Sequence, residues 1–260
     1  MKLAILGCGN IGGTIGRNLQ KQSREMQVVA VYDIDRKKAE SLASEIKPRP
    51  AVCKDVDELL KNKEATLVLE AASQEAVALY GKKILESGKS LMIMSVGAFS
   101  DDRLLKEMRE TSEKMKVKIY IPSGAVAGID GLKSALIGGI QQITLTTRKN
   151  PKNLDVDVKK ETVLYEGPAR EGIKRYPKNV NVAATLSLAG IGLDKTLLRI
   201  IADPKTDKNT HEILVKGAFG SFSVLMENTP SPDNPKTSYL AILSAMAMLK
   251  KFSESIEIGT

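Results

Sequence analysis

The residues best suited to chemistry are three glycines, one aspartate and one histidine. Gly7, Gly9 and Gly12 stand in the stretch Gly7-Cys8-Gly9-Asn10-Ile11-Gly12, the pattern G-x-G-x-x-G. Between a strand and a helix, such a loop offers backbone N–H groups to a pyrophosphate. Gly7 permits the tight turn, Gly9 lets a phosphate approach the backbone, and Gly12 lets the helix pack on the strand. Asn10 and Ile11 belong to the same cradle. Asp33 follows about 20 residues later, where a carboxylate takes hydrogen bonds from the adenine ribose and repels a 2′-phosphate. NAD is therefore expected, and Arg36 and Lys37 close by leave NADP possible. Asp33 could equally cap the next helix. His211 is the only histidine. Its ordinary pKa suits general acid–base work, but a packed histidine at a strand start has the same spacing, and both readings stay open.

These residues need elements to position them. Leu3 to Leu6 reads as a buried strand and Thr14 to Gln22 as a helix. Gln27 to Asp33, Ala65 to Ala71, Ser90 to Val96 and Lys116 to Ile121 read as further strands. Helices over Arg36 to Ile46, Ala76 to Ser87 and about Ser100 to Lys114 alternate with them. That alternation predicts a doubly wound parallel sheet of the Rossmann type. Strand ends in such a sheet face the ligand crevice, which brings Ala72 and Ser73 to the cofactor side; Ser73 could instead cap a helix. After about residue 135 the texture changes. Gln142 to Arg148 alternates apolar and polar residues, the period of a half-exposed antiparallel strand. Leu197 to Ala202, His211 to Lys216 and Ser221 to Glu227 are strand candidates, Asn179 to Ala189 a helix, Pro230 to Pro235 a loop, and Thr237 to Lys251 a helix. The organisation expected is a dinucleotide-binding domain over 1–122 and an α+β substrate and dimerisation domain over 123–235, with a mainly antiparallel sheet. The segment 236–260 is expected to return as a helix to the first domain.

Composition narrows the function classes. The chain has 260 residues, 42% hydrophobic and 27% charged, as soluble globular proteins do. No apolar run approaches the roughly 18 residues of a membrane span, and the start of the chain lacks a basic leader, so no membrane partner is expected. The net charge is +8, yet basic and acidic residues are mixed along helices and aromatic content is 4%, which does not describe a nucleic-acid binder. Two cysteines, Cys8 and Cys53, and one histidine give no metal-ligand cluster; free thiols in a reducing cytoplasm are expected. An anionic substrate would need basic or hydroxyl partners. Arg148, Lys149, Arg170, Arg175, Lys236, Thr237 and Ser238 are available, with Asn181 and Asn234 as amide partners or helix caps.

Several longer stretches go beyond the fold. Taken in order, E-A-A-S-Q-E-A (70–76), S-V-G-A (95–98), P-S-G-A-V-A-G-I-D (122–130), L-T-T-R-K (145–149), E-G-P-A-R-E (166–171), N-V-N-V-A-A-T (179–185), H-E-I (211–213) and N-P-K-T-S (234–238) resemble the L-aspartate dehydrogenase family over nearly the whole chain. The resemblance implies NAD(P)-dependent deamination of L-aspartate to iminoaspartate, which hydrolyses to oxaloacetate and ammonia or feeds NAD biosynthesis. It implies that His211 is catalytic, that Ala125 or Ala127 and Asn181 line the cofactor site, and that the second domain makes a homodimer. Asn234, Lys236, Thr237 and Ser238 are the expected substrate contacts. A non-catalytic NAD-binding sensor, or another two-domain NAD(P) dehydrogenase or reductase, would share the glycine loop; the lack of a paired-histidine motif speaks against a dihydrodipicolinate reductase.

Overall fold

The computed structural model describes residues 1–22, 26–176, 181–231, 234–256 and 258–259, with the side chains of 20–22 and 234–236 outside the description. The chain divides into two compact units. One comprises Met1–Pro122 with Ala245–Ile256, the other Ser123–Ser244.

In the first unit, β1 (Lys2–Leu6), α1 (Asn10–Gln22), β2 (Gln27–Tyr32), α2 (Arg36–Glu45), β3 (Ala51–Val52), α3 (Val56–Lys61), β4 (Leu67–Glu70), α4 (Gln74–Glu86), β5 (Ser90–Ile93), α5 (Asp102–Met115) and β6 (Ile119–Tyr120) follow in turn. All sheet pairings are parallel, and the strand order β3-β2-β1-β4-β5-β6 is that of a dinucleotide-binding doubly wound sheet. Continuous apolar runs such as Leu3 to Leu6 are buried, as expected of strands covered on both faces. Helix starts are fixed by side chains: Asp35 accepts from Lys37 N, Asp55 from Glu58 N, Ser73 from Ala76 N, and Asp101 from Arg103 N. The cap of α2 is thus Asp35 rather than Asp33.

Strand β5 stops at Ile93, short of the expected Val96, and a 3₁₀ turn occupies Val96–Ser100. The reason is Glu70. Its buried carboxylate accepts from Met94 N, Ser95 N and Ser95 Oγ, so these groups turn toward a side chain.

The second unit contains α6 (Ile129–Ile137), β7 (Ile140–Lys149), β8 (Thr162–Pro168), α7 (Ala169–Arg175), α8 (Asn181–Ala189), β9 (Thr196–Ala202), β10 (Asn209–Gly217), β11 (Gly220–Asn228), β12 (Pro230–Ser231) and β13 (Asn234–Ser238); α9 (Tyr239–Lys251) runs from this unit into the other. Five strands form a sheet in the order β11-β10-β7-β9-β8. Three neighbour pairs are antiparallel, but β7 runs parallel to β9. The expected antiparallel strand over Gln142 to Arg148 is therefore central and mixed, because alternation marks two unlike faces without naming neighbours. Ile143, Leu145, Thr147 and Lys149 are buried on one face. Two local expectations are corrected. Helix α6 lies where no helix was expected. The segment from Pro230 is not simply a loop, since β12 and β13 pair, and Thr237 and Ser238 are extended, so the last helix starts at Tyr239. In a two-stranded ribbon every strand is an edge, where proline is tolerated.

Among the glycines of the first unit, Gly12 leaves the least room for a side chain. A Cβ there would lie 1.9 Å from Gly7 O and 3.2 Å from the Ile5 side chain. Gly12→Ala is expected to cost about 3 kcal/mol or more by forcing α1 off β1, read as a lower midpoint in chemical denaturation; an unchanged midpoint would refute this packing role.

Candidate active site

The glycine loop leaves β1 and enters α1 with Gly7 in a left-handed conformation, φ +97°. A Cβ on Gly7 would meet the backbone of Ala71 and Ala72 at 2.7 Å, whereas a Cβ on Gly9 would meet nothing within 4 Å. Open space above Gly9 at the start of a 13-residue helix is what a pyrophosphate cradle requires. Asp33 is half-buried at the end of β2 and binds the loop itself. Its Oδ2 accepts from Cys8 N at 2.7 Å and its Oδ1 from Asp35 N at 2.8 Å. Each oxygen keeps a further lone pair for a ribose hydroxyl. Beside it a cavity of about 220 Å³ is lined by Gly7, Asp33, Ile34, Ala72, Ser73 and Leu79. Ile34 and Leu79 are 94% and 70% exposed, apolar walls left open as a flat heteroaromatic ring would use them.

The first unit thus brings Gly7, Gly9, Asn10, Ile11, Gly12, Asp33, Ala72 and Ser73 to one end of its sheet. Ser73 also caps α4, so its hydroxyl already has a structural task. Sequence reasoning missed Glu70, although an acid closing an apolar strand is a visible signal. Its carboxylate also accepts from Ala72 N at 2.8 Å. Burial raises its pKa, and the hydrogen bonds from Ser95, Ala72 and Met94 oppose that rise. Cys8 and Cys53 are buried free thiols, with pKa values pushed up by burial to about 12 and about 11; neither supplies a nucleophile.

In the second unit His211 lies on β10, 1% exposed, opposite Thr147 of β7. Its Nδ1 is 3.0 Å from Thr147 Oγ1, so Nε2 is the ring nitrogen that this contact does not engage. Burial first, and the charge of Lys149 second, lower the imidazole pKa to about 3. Lys149, two residues beyond Thr147 on the same face, is 5% exposed, and burial lowers its pKa to about 8. Sequence reasoning had Lys149 as one basic residue among many; the T-x-K spacing of a strand was the signal that set it apart. Arg148 and Arg170 are engaged elsewhere. Arg148 pairs with Glu161 and Asp203, and Arg170 grips Asp194 through two hydrogen bonds of 2.6 and 2.8 Å.

The remaining expected residues are less concentrated. Ala125 is buried and its carbonyl accepts from Asn228 Nδ2 at 2.9 Å, while Ala127 is exposed. Asn181 is exposed at the first position of α8, and Ser238 is buried on β13 beside the half-buried Thr237. The side chains of Asn234 and Lys236 lie outside the described residues. Among the described residues there is no group of three His, Cys, Asp or Glu able to hold a metal, and no helix long and apolar enough to cross a membrane.

Comparison with known proteins bears on both units. Residues 7–122 match the model described as homoserine dehydrogenase, NAD binding domain, and residues 130–252 the one described as aspartate dehydrogenase, C-terminal. The chain is 46% identical to L-aspartate dehydrogenases of Methanosarcina barkeri, over 272 residues, and Methanosarcina mazei, over 277 residues, with 100% of each chain covered. The chain belongs to the L-aspartate dehydrogenase family. The crystal structure of aspartate dehydrogenase from Thermotoga maritima is similar at 28% identity, with a TM-score of 0.80 and 100% and 99% of the two chains covered. Family membership accounts for the parallel dinucleotide-type sheet and the second, mixed sheet in one chain.

Burial of His211 has a consequence for stability. An unfolded chain protonates this histidine near pH 6.5, the folded chain only near 3. Between those values the unfolded state holds the extra proton, so stability falls as pH falls, by up to about 1.4 kcal/mol per pH unit. His211→Asn is expected to flatten this part of the stability–pH curve in urea unfolding; identical slopes for both proteins would show that the imidazole is not held neutral.

Proposed function

We propose that this chain is an NAD-dependent enzyme that oxidatively deaminates L-aspartate to iminoaspartate, or runs the reverse. The observation that carries the reading is the buried neutral imidazole of His211, braced by Thr147, in a chain of the L-aspartate dehydrogenase family. The first unit supports NAD: space above Gly9 for phosphate, Asp33 for the ribose, and Ile34 with Leu79 for the adenine. NAD supplies, when bound, an acceptor for the hydride that leaves the substrate Cα. The substrate ammonium must lose a proton before its nitrogen can become an imine. His211 takes a proton at Nε2, from that ammonium or from the water that attacks the imine. Ala125, Ala127 and Asn181 are proposed to line the nicotinamide side, and Asn234, Lys236, Thr237 and Ser238 to hold the substrate.

The finer parts of the reading belong together. NADP is accepted less well than NAD because the Asp33 carboxylate repels a 2′-phosphate. The imine hydrolyses to oxaloacetate and ammonia or feeds NAD biosynthesis. The free thiols suit a reducing cytoplasm. The open face of the five-stranded sheet, which exposes Leu197 and Leu225, suits a homodimer.

The test is an absorbance assay of NAD or NADP reduction with a panel of amino acids. Reduction is expected with L-aspartate and not with glutamate, alanine or homoserine, and faster with NAD. NADH binding without reduction by any amino acid would favour a non-catalytic sensor instead. His211→Asn is expected to lower kcat by about 100-fold or more with NADH affinity unchanged; Gly9→Ala is expected to weaken NADH binding about tenfold or more without changing the melting temperature.

A further inference from the structure

One side chain holds two of the loops at the crevice end of the first sheet. Glu70 closes β4 and is 1% exposed. Strand β4 lies beside β1, where the order β3-β2-β1-β4-β5-β6 changes direction. Open parallel sheets bind their ligands at such a switch point, outside the carboxyl ends of the strands. Beyond those ends backbone N–H groups leave the ladder and need other acceptors. The Glu70 carboxylate serves three of them. Its Oε1 accepts from Ala72 N and Ser95 Oγ, both at 2.8 Å, and its Oε2 from Ser95 N at 3.0 Å and Met94 N at 3.2 Å. An ionised carboxylate is acceptor-only and has about four lone-pair sites, so these donors match it. Of the two oxygens, only Oε1 reaches the loop after β4. Ala72 is exposed, stands between β4 and α4, and lines the cavity of about 220 Å³ with Asp33, Ile34 and Leu79. Its backbone also abuts the glycine loop, since a Cβ on Gly7 would lie 2.7 Å from Ala72 N.

We propose that Glu70 is a positioning residue for the cofactor, fixing through Ala72 N the wall that receives the adenosine half of NAD. The assignment rests on the NAD-binding reading of the first unit given above. The chemistry requires a carboxylate rather than an amide. In Glu70→Gln, the amide oxygen can take the place of Oε2 and keep Met94 N and Ser95 N. The NH2 group then stands where Oε1 was. Ser95 Oγ can turn and accept from it, but Ala72 N–H meets a second donor. The opposite orientation sets the NH2 against both Met94 N and Ser95 N, so it loses more. The substitution thus breaks the one hydrogen bond that reaches the cavity wall and keeps those that hold the end of β5.

The test compares NADH with ADP-ribose, which lacks the nicotinamide ring. Glu70→Gln is expected to bind both about tenfold more weakly, by the same factor, and to raise KM for NAD more than it lowers kcat. In amide hydrogen exchange, Ala72 should lose protection in the variant while Ser95 keeps it. A merely structural role predicts otherwise: the urea midpoint would fall, and the folded variant would bind both ligands as the wild type does. That result would overturn the assignment and leave the NAD reading intact. Weaker NADH binding with unchanged ADP-ribose binding would also overturn it, because the wall would then serve the other half of the cofactor. If Glu70→Gln does not fold, the wild type decides. Its Ala72 amide, on an exposed residue outside any strand or helix, should exchange at least about 100-fold more slowly than an unstructured amide. Exchange at the unstructured rate would overturn the assignment. A wild type that binds neither NADH nor ADP-ribose would overturn the NAD reading as well.

Discussion

The account depends on one buried contact, the hydrogen bond between His211 and Thr147 in the second sheet. Burying an imidazole forces a choice between charge and neutrality, and here both burial and the nearby Lys149 ammonium select neutrality. A neutral imidazole with one nitrogen engaged has a defined lone pair or a defined proton at the other. The sheet supplies the rigidity. Thr147 and Lys149 sit on the central strand, flanked by β10 on one side and β9 on the other. His211 is on β10, itself an interior strand between β11 and β7, so its surroundings are set by packing on both sides rather than by a loop.

The first unit solves a different problem. It must offer backbone N–H groups to phosphate without filling the space the phosphate needs. The three glycines divide that labour physically: Gly7 and Gly12 have no room for a side chain, and Gly9 has room that a ligand can use. Asp33 ties the loop to the end of β2 through Cys8 N, and a carboxylate that accepts one bond at each oxygen keeps further acceptor capacity. Glu70 does similar work two strands away, joining the ends of β4 and β5 by accepting from Ala72, Met94 and Ser95. Two carboxylates, Asp33 half-buried and Glu70 buried, therefore fix the loops at the crevice end of the sheet.

Much of this was legible from the residues. The glycine loop, the apolar strands and the β–α alternation all follow from local rules, so the parallel sheet could be read directly. Pairing could not. Alternation along Gln142 to Arg148 revealed two unlike faces but not that β7 is central and parallel to β9, because neighbours in a mixed sheet are chosen by long-range topology. Helix α6 was missed because Gly128 and Gly131 disguise its start. Thr237 and Ser238 were read into the last helix because nothing local distinguishes the extended residues before Tyr239 from its first turn. Within the site, His211 stood out by being alone, whereas Lys149 was hidden among 39 basic residues until burial separated it from them. Asp33 was located correctly at the strand end, yet the cap it was offered as belongs to Asp35.

The most direct test of the central claim is nitrogen NMR of the single imidazole in the enzyme without substrate. The account predicts one protonated and one unprotonated ring nitrogen throughout the range from about pH 4.5 to 8, with no titration step. A step near 6.5, the value of a solvated histidine, would show that His211 is neither buried nor held neutral, and would contradict the mechanism built on it.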